Sequence, residues 1–142
     1  MQKESITKIV GRYCETDRMG IVHHSRYYPW FEVARDEFVT AAGVRYFDME
    51  QKGLYLPLAE TRSRYIKPAV YGDTVLIKTT LIKLTVVRCI FKYEVYRESD
   101  NELLNIGWTT HAFCDHSMKP INLKKKFPDC YEVMAGILTE EE

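Results

Sequence analysis

The chain has 142 residues, 46% of them hydrophobic, the size of one ordinary domain whose core needs no disulfide or structural metal. Twenty Lys and Arg cancel twenty Asp and Glu, so the chain lacks the net basic charge expected of a nucleic-acid binder, though a local basic patch stays open. No window reaches the roughly 20 apolar residues that span a bilayer, no signal-peptide-like run opens the sequence, and the four cysteines stand in no CxxC pair or zinc-ligand spacing. We expect a cytoplasmic protein with reduced thiols, no metal, no cofactor, no nucleic-acid partner and no transmembrane segment.

In chain order, residues 6–14 read as a first strand, followed by the loop Glu15-Thr16-Asp17-Arg18-Met19-Gly20. Residues 25–42 read as a helix, because Tyr27, Trp30 or Phe31, Ala34, Phe38 and Ala41 recur at three-to-four spacing. Pro29 suits its first turn and Gly43 its end. About 18 residues at 1.5 Å each make it roughly 27 Å long. Four more strands follow over 56–66, 74–84, 86–97 and 103–114, separated by Lys67-Pro68, Tyr71-Gly72-Asp73 and Ser99-Asp100-Asn101. Residues 127–138 suggest a short terminal helix. With no repeat or linker, residues 1–142 read as a single domain. One amphipathic helix after the first strand, then consecutive strands, predicts an α+β fold with an antiparallel sheet large enough to wrap the helix.

The stretch Tyr13-Cys14-Glu15-Thr16-Asp17-Arg18-Met19-Gly20-Ile21-Val22-His23-His24 carries the chemistry. A carboxylate, a flexible Gly and a histidine pair precede the long helix. A helix start offers unpaired N–H groups and the positive end of the dipole, suited to polarising a carbonyl and holding an oxyanion. A nearby acid can attack that carbonyl or take a proton from water. Taken singly the residues are ambiguous. An Asp before a helix is most often a turn former or a cap, His24 serves equally as a cap, and Tyr13 as packing.

The spacing of Tyr13, Asp17 and His24 resembles the signature of the 4-hydroxybenzoyl-CoA thioesterase family of hotdog proteins, nearest its bacterial Tol–Pal-associated acyl-CoA thioesterase branch. Tyr27, Phe31, Glu32 and Arg35 fit the helix pattern of that branch. Pro68-Ala69-Val70-Tyr71-Gly72-Asp73, Ala112-Phe113-Cys114-Asp115 and Lys119-Pro120 resemble its later turn, last strand and exit. The resemblance implies a five-stranded antiparallel sheet wrapped around one long helix. It implies hydrolysis of a short-chain or aryl acyl-CoA to acid and CoA, with Asp17 as nucleophile or general base and the His24 backbone N–H as oxyanion donor. The His24 side chain and the Tyr13 hydroxyl would orient the thioester or water. Gly20 would let the backbone approach the substrate, and Arg62, Arg64, Arg88 and Lys92 would hold the CoA phosphates, with Lys124 to Lys126 as outliers. A homodimer or homotetramer is implied, with clefts between subunits that residues such as Glu60, Arg62 or Arg64 could serve. Glu15 would add a second carboxylate beside Asp17, and Tyr46, Phe47, Tyr55, Trp108 and Phe113 are candidates for an acyl pocket. The competing readings are a hotdog hydratase or dehydratase and a non-catalytic acyl-CoA binding module.

Overall fold

A computed structural model describes residues 2–140. Its centre is set by the period-two pattern of two long strands. β3 (Thr74–Leu84) turns Val75, Ile77, Thr79 and Leu81 inward, and β4 (Arg88–Arg97) turns Cys89, Phe91, Tyr93 and Val95 inward. β5 (Glu102–Ala112) pairs with β4; β1 (Ser5–Val10) and β2 (Leu58–Tyr65) form the edges. The order is β1-β3-β4-β5-β2, antiparallel throughout.

α1 (Tyr27–Ala41) lies on the buried face through Tyr27, Trp30, Phe31, Ala34 and Phe38. Small residues set its height above the sheet. A methyl at Gly107 of β5 would overlap the Phe31 ring, which instead stacks on Tyr93 with centroids 4.4 Å apart and planes 9° from parallel. The sheet wrapped around one long helix is the arrangement the resemblance implied.

Several boundaries differ from the sequence reading, each for a local reason. The first strand stops at Val10, and Gly11 donates to the Asp73 carbonyl at 2.8 Å, where a side chain would press on the Val70 carbonyl. Tyr13–Glu15 is therefore a 3-10 turn, not strand. The long helix begins at Tyr27 because His24–Arg26 is another 3-10 turn, capped by the His23 ring accepting from the Ser25 N–H. β4 and β5 end within a few residues of expectation, whereas β2 is shorter at both ends. α2 (Tyr46–Gln51) was not anticipated; six residues are too few for a helical period to show. The Lys124 to Lys126 run lies inside α3 (Leu123–Lys126), capped by Asn122, and α4 (Pro128–Gly136) replaces the broader terminal helix. Leu123, Met134 and Ile137 of this C-terminal segment are buried. Among the described residues no helix is long and apolar enough to cross a membrane.

Candidate active site

The loop after the first 3-10 turn is shaped by its own polar groups. Asp17 donates its N–H to the Ile21 carbonyl at 2.9 Å, accepts from Gly20 at 3.0 Å, and its Oδ1 accepts from the Met19 N–H at 2.8 Å. Gly20 takes φ +78°, a left-handed conformation that costs glycine little. Among the described residues Oδ2 has no hydrogen-bond partner. Asp17 thus has one oxygen spent on the turn and one free.

Underneath, Glu15 fastens this loop to α1. Its buried carboxylate accepts from the Trp30 indole N–H at 2.7 Å and the Arg12 N–H at 2.9 Å, while its carbonyl accepts from the His23 N–H at 2.8 Å. This corrects the expectation of a carboxylate pair: Glu15 points into the interior and is absent from the lining of the Asp17 cavity.

That cavity, of about 300 Å3, is lined by Asp17, Met19, Ile21, Val22, His24, Tyr27, Tyr65, Ile66, Lys67 and Pro68. It opens where the loop, the start of the helical segment and the end of the edge strand β2 meet. His24 lies in its wall, its ring 4.0 Å from that of His23 and edge-on to Tyr65, whose hydroxyl donates to the His24 carbonyl at 3.2 Å. In the turn His24–Arg26 the Ser25 and Arg26 N–H groups are used, by the His23 ring and the His23 carbonyl. The His24 N–H has no acceptor among the described residues. Burial raises the Tyr27 hydroxyl above its ordinary pKa, so it stays a proton-bearing donor at neutral pH.

The structure therefore joins Asp17 and His24 and leaves the other predicted residues apart. Tyr13 is 69% exposed, outside the cavity lining, and its ring sits 5.8 Å from that of Tyr71. Gly20 shapes the loop without lining the cavity. Arg62, Arg64, Arg88 and Lys92 lie on the sheet face away from α1: Arg62 pairs with Trp108, Arg64 with Ile106, and Lys92 with Trp108. The Arg62 and Arg64 guanidinium carbons stand 4.1 and 5.9 Å from the Trp108 ring centre. Arg62, Arg88, Glu60 and Trp108 share a separate cavity of about 440 Å3. Trp108 is thus no acyl-pocket residue of this chain's Asp17 cavity, Phe113 is in the core and Phe47 is exposed. Lys67, Tyr65 and Tyr27 were missed. Tyr65-Ile66-Lys67-Pro68 reads in sequence as a strand end and a turn, and only the closure of β2 onto the loop reveals it as a wall. Lys67 is ion-paired with Glu102. Among the described residues no cluster suited to a metal ion occurs.

A family model described as "Thioesterase-like superfamily" matches residues 12–135. The chain belongs to this superfamily. It is 37% identical over 124 residues to YneP of Bacillus subtilis (strain 168), a provisionally named acyl-CoA thioesterase, covering 86% of this chain and 88% of that one. Among solved structures, the DHNA-CoA thioesterase of Staphylococcus aureus superposes with a TM-score of 0.90 at 37% identity, covering 94% of this chain and 90% of that one. The hypothetical protein TT1821 of Thermus thermophilus follows at 0.86 and 34%, covering 96% and 99%. The chain is a thioester hydrolase with the hotdog fold.

Proposed function

We infer that this thioesterase hydrolyses a short-chain or aryl acyl-CoA to the free acid and CoA, with Asp17 as the reacting carboxylate. The observation that supports this is a single cavity lined by both Asp17, whose Oδ2 has no partner among the described residues, and His24, whose N–H has no acceptor among them. A thioester carbonyl there would place developing negative charge against the His24 N–H and the adjoining helical dipole. Asp17 then acts in one of two balanced ways. As nucleophile it bonds to the carbonyl carbon, the C–S bond breaks, CoA thiolate leaves, and water hydrolyses the mixed anhydride. As base it takes a proton from the water that attacks. The thiolate is a good leaving group, so one carboxylate and one oxyanion donor suffice.

The Tyr13, Asp17 and His24 spacing supports a place near the 4-hydroxybenzoyl-CoA branch, and the Staphylococcus aureus relative supports an aryl acyl group. The His24 side chain would orient the thioester or water from the cavity wall, while Tyr13 serves only from outside it. Within one chain the sheet separates Arg62, Arg64, Arg88 and Lys92 from Asp17, so their proposed phosphate contacts belong to a neighbouring subunit's site in a homodimer or homotetramer. Four free cysteines, three of them buried, support a cytoplasmic setting.

The test is thiol release from a panel of short, medium and aryl acyl-CoAs. Wild type should turn over at least one class, and Asp17→Asn should lose about 100-fold or more in kcat, the scale of losing a central catalytic group. A folded Asp17→Asn protein with full activity would sink the assignment. Tight CoA binding with no thiol release would favour the binding-module reading. Transfer of 18O from labelled water into Asp17 during turnover would decide for the nucleophile.

A further inference from the structure

Tyr65 is the last residue of β2 and the one residue of that strand in the wall of the Asp17 cavity. Its hydroxyl donates to the His24 carbonyl at 3.2 Å. Its ring stands edge-on to His24, with centroids 6.3 Å apart and planes at 85°, and edge-on to Tyr27 at 5.6 Å and 77°. His24 opens the second 3-10 turn and Tyr27 opens α1. The end of the edge strand therefore holds the short segment between loop and helix at both of its ends.

What this holds in place follows from the hydrogen bonds around His24. The peptide unit before His24 carries the N–H that has no acceptor among the described residues, and its carbonyl, that of His23, accepts from the Arg26 N–H at 2.9 Å. The peptide unit after it places the Ser25 N–H on the His23 ring at 3.2 Å and the His24 carbonyl against the Tyr65 hydroxyl. The first unit is fixed from within the turn, and the second with the help of β2. With both fixed, the two soft dihedrals at His24 lose their freedom, and the direction of its free N–H is set.

An oxyanion donor helps only as far as it is aimed before the charge develops. Hydrogen bonds weaken steeply as their angle falls towards about 120°, so a turn free to rock at His24 would lose donor strength to realignment. His24–Arg26 is three residues long, too short to be held rigid by its own 3-10 bonds. It is anchored from outside at two points: the Glu15 carbonyl takes the His23 N–H at 2.8 Å, and Tyr65 takes the His24 carbonyl. Burial, aided by the nearby Tyr28 hydroxyl, raises the Tyr65 hydroxyl above its ordinary pKa, so it keeps the proton it donates at neutral pH.

We propose that Tyr65 is a positioning residue for thioester hydrolysis, whose hydroxyl holds the His24 carbonyl and thereby aims the His24 N–H at the thioester oxygen in the Asp17 cavity. It gives no proton to the reaction and takes none. The proposal rests on the reading of the His24 N–H as oxyanion donor and adds to it the part that keeps that donor in line.

Tyr65→Phe keeps the ring and removes only the hydroxyl. Its kcat for thiol release should fall about threefold to tenfold, the effect of one neutral hydrogen bond. KM should stay within about twofold, and the ratio to wild type should be the same at pH 6 and pH 8, because no proton transfer is lost. Two further variants separate aiming from support. His24→Pro removes the N–H at the first position of the turn, where proline is tolerated, and His24→Ala removes only the ring. Adding Tyr65→Phe should cost its full factor beside His24→Ala and almost nothing beside His24→Pro, where no donor is left to aim. Amide hydrogen exchange reads the same tie without turnover: Ser25 and Arg26 should exchange at least about threefold faster in Tyr65→Phe, with the global unfolding midpoint unchanged. A kcat equal to wild type, a loss confined to KM, an equal loss in both His24 backgrounds, or unchanged exchange at Ser25 and Arg26 would overturn the proposal. A folded His24→Pro with wild-type kcat would fail the oxyanion reading itself and this proposal with it. An Asp17→Asn protein without activity beside a fully active Tyr65→Phe would fail this proposal alone, and a fully active Asp17→Asn beside a slowed Tyr65→Phe would fail the Asp17 reading alone.

Discussion

Asp17 spends one oxygen on its own turn and leaves the other without a partner among the described residues, and the loop that presents it is held by a residue that never reaches the cavity. Glu15 holds the loop against α1 by a charge-assisted bond from Trp30. Trp30→Phe keeps the aromatic bulk but leaves a buried carboxylate short of a donor, at a cost of about 1.5–3 kcal/mol. Urea unfolding should show that loss, and thiol release should show a lower kcat with KM less affected, because the loop loses its alignment before the cavity loses its walls. A Trp30→Phe protein as stable as wild type would show that the bond is dispensable. The sequence displayed Glu15 as an acid two residues from Asp17 and therefore suggested a carboxylate pair. Nothing in spacing alone says that a 3-10 turn rotates one side chain inward and the other outward.

At the scale of elements, a hydrogen-bond chain sews helices to strands. Arg35 of α1 can only donate to the Tyr93 oxygen, so the Tyr93 hydroxyl donates onward to Thr109 at 2.7 Å. Thr109 then donates to His111 Nε2 at 3.0 Å, and His111 Nδ1–H donates to the Leu56 carbonyl at 3.1 Å. This order of donors requires neutral His111. Burial, with help from the Arg35 charge, pulls its pKa down from 6.5 to about 4. The unfolded chain therefore binds the proton more readily than the folded one between those values. Stability should be complete above pH 6.5 and fall as pH drops towards 4, by about 3 kcal/mol at 1.36 kcal/mol per pKa unit. His111→Gln should flatten that part of the stability profile in denaturant titrations at pH 4.5 and 7. A profile unchanged by the substitution would assign the acid limb to other groups.

The elements themselves were largely legible. Alternation in 74–84 predicted β3 to the residue, because an edge-free strand with one buried face must alternate. The stripe from Tyr27 to Phe38 likewise named the face of α1 that is buried. What sequence could not show was sidedness across strands. Arg62, Arg64, Arg88 and Lys92 share the sheet face away from α1, across the sheet from the Asp17 of their own chain, since facing depends on register and bulges that no single strand reveals.

For the whole molecule, the C-terminal segment closes the fold. Leu138 makes a parallel bridge to Leu81 of β3, the Thr139 N–H donates to the Leu81 carbonyl at 2.8 Å, and Met134 and Ile137 are buried against the core. Ending the chain at Phe127 would remove two large buried apolar side chains, Met134 and Ile137, worth about 1.5–3 kcal/mol each, besides uncovering the surface they cover. The truncated chain should lose at least about 4 kcal/mol in chemical denaturation, and an unchanged midpoint would show that α4 is an ornament. Sequence reading placed a helix here but gave no reason for it, because its purpose is set by strands more than forty residues earlier.

The contact between Gly107 and Phe31 has a further bearing on the cavity. With no side chain on the strand beneath it, the ring sinks until it stacks on Tyr93, and the helix comes to rest at a fixed height. Tyr27, the first residue of that helix, and His24 of the 3-10 turn before it form part of the cavity wall, so a change in that height would be felt there. Gly107 is thus a spacer of zero thickness. Alanine and serine there would act as shims, prising up the helix from a point remote from the chemistry. They would change the shape of the Asp17 cavity without touching a single residue that lines it.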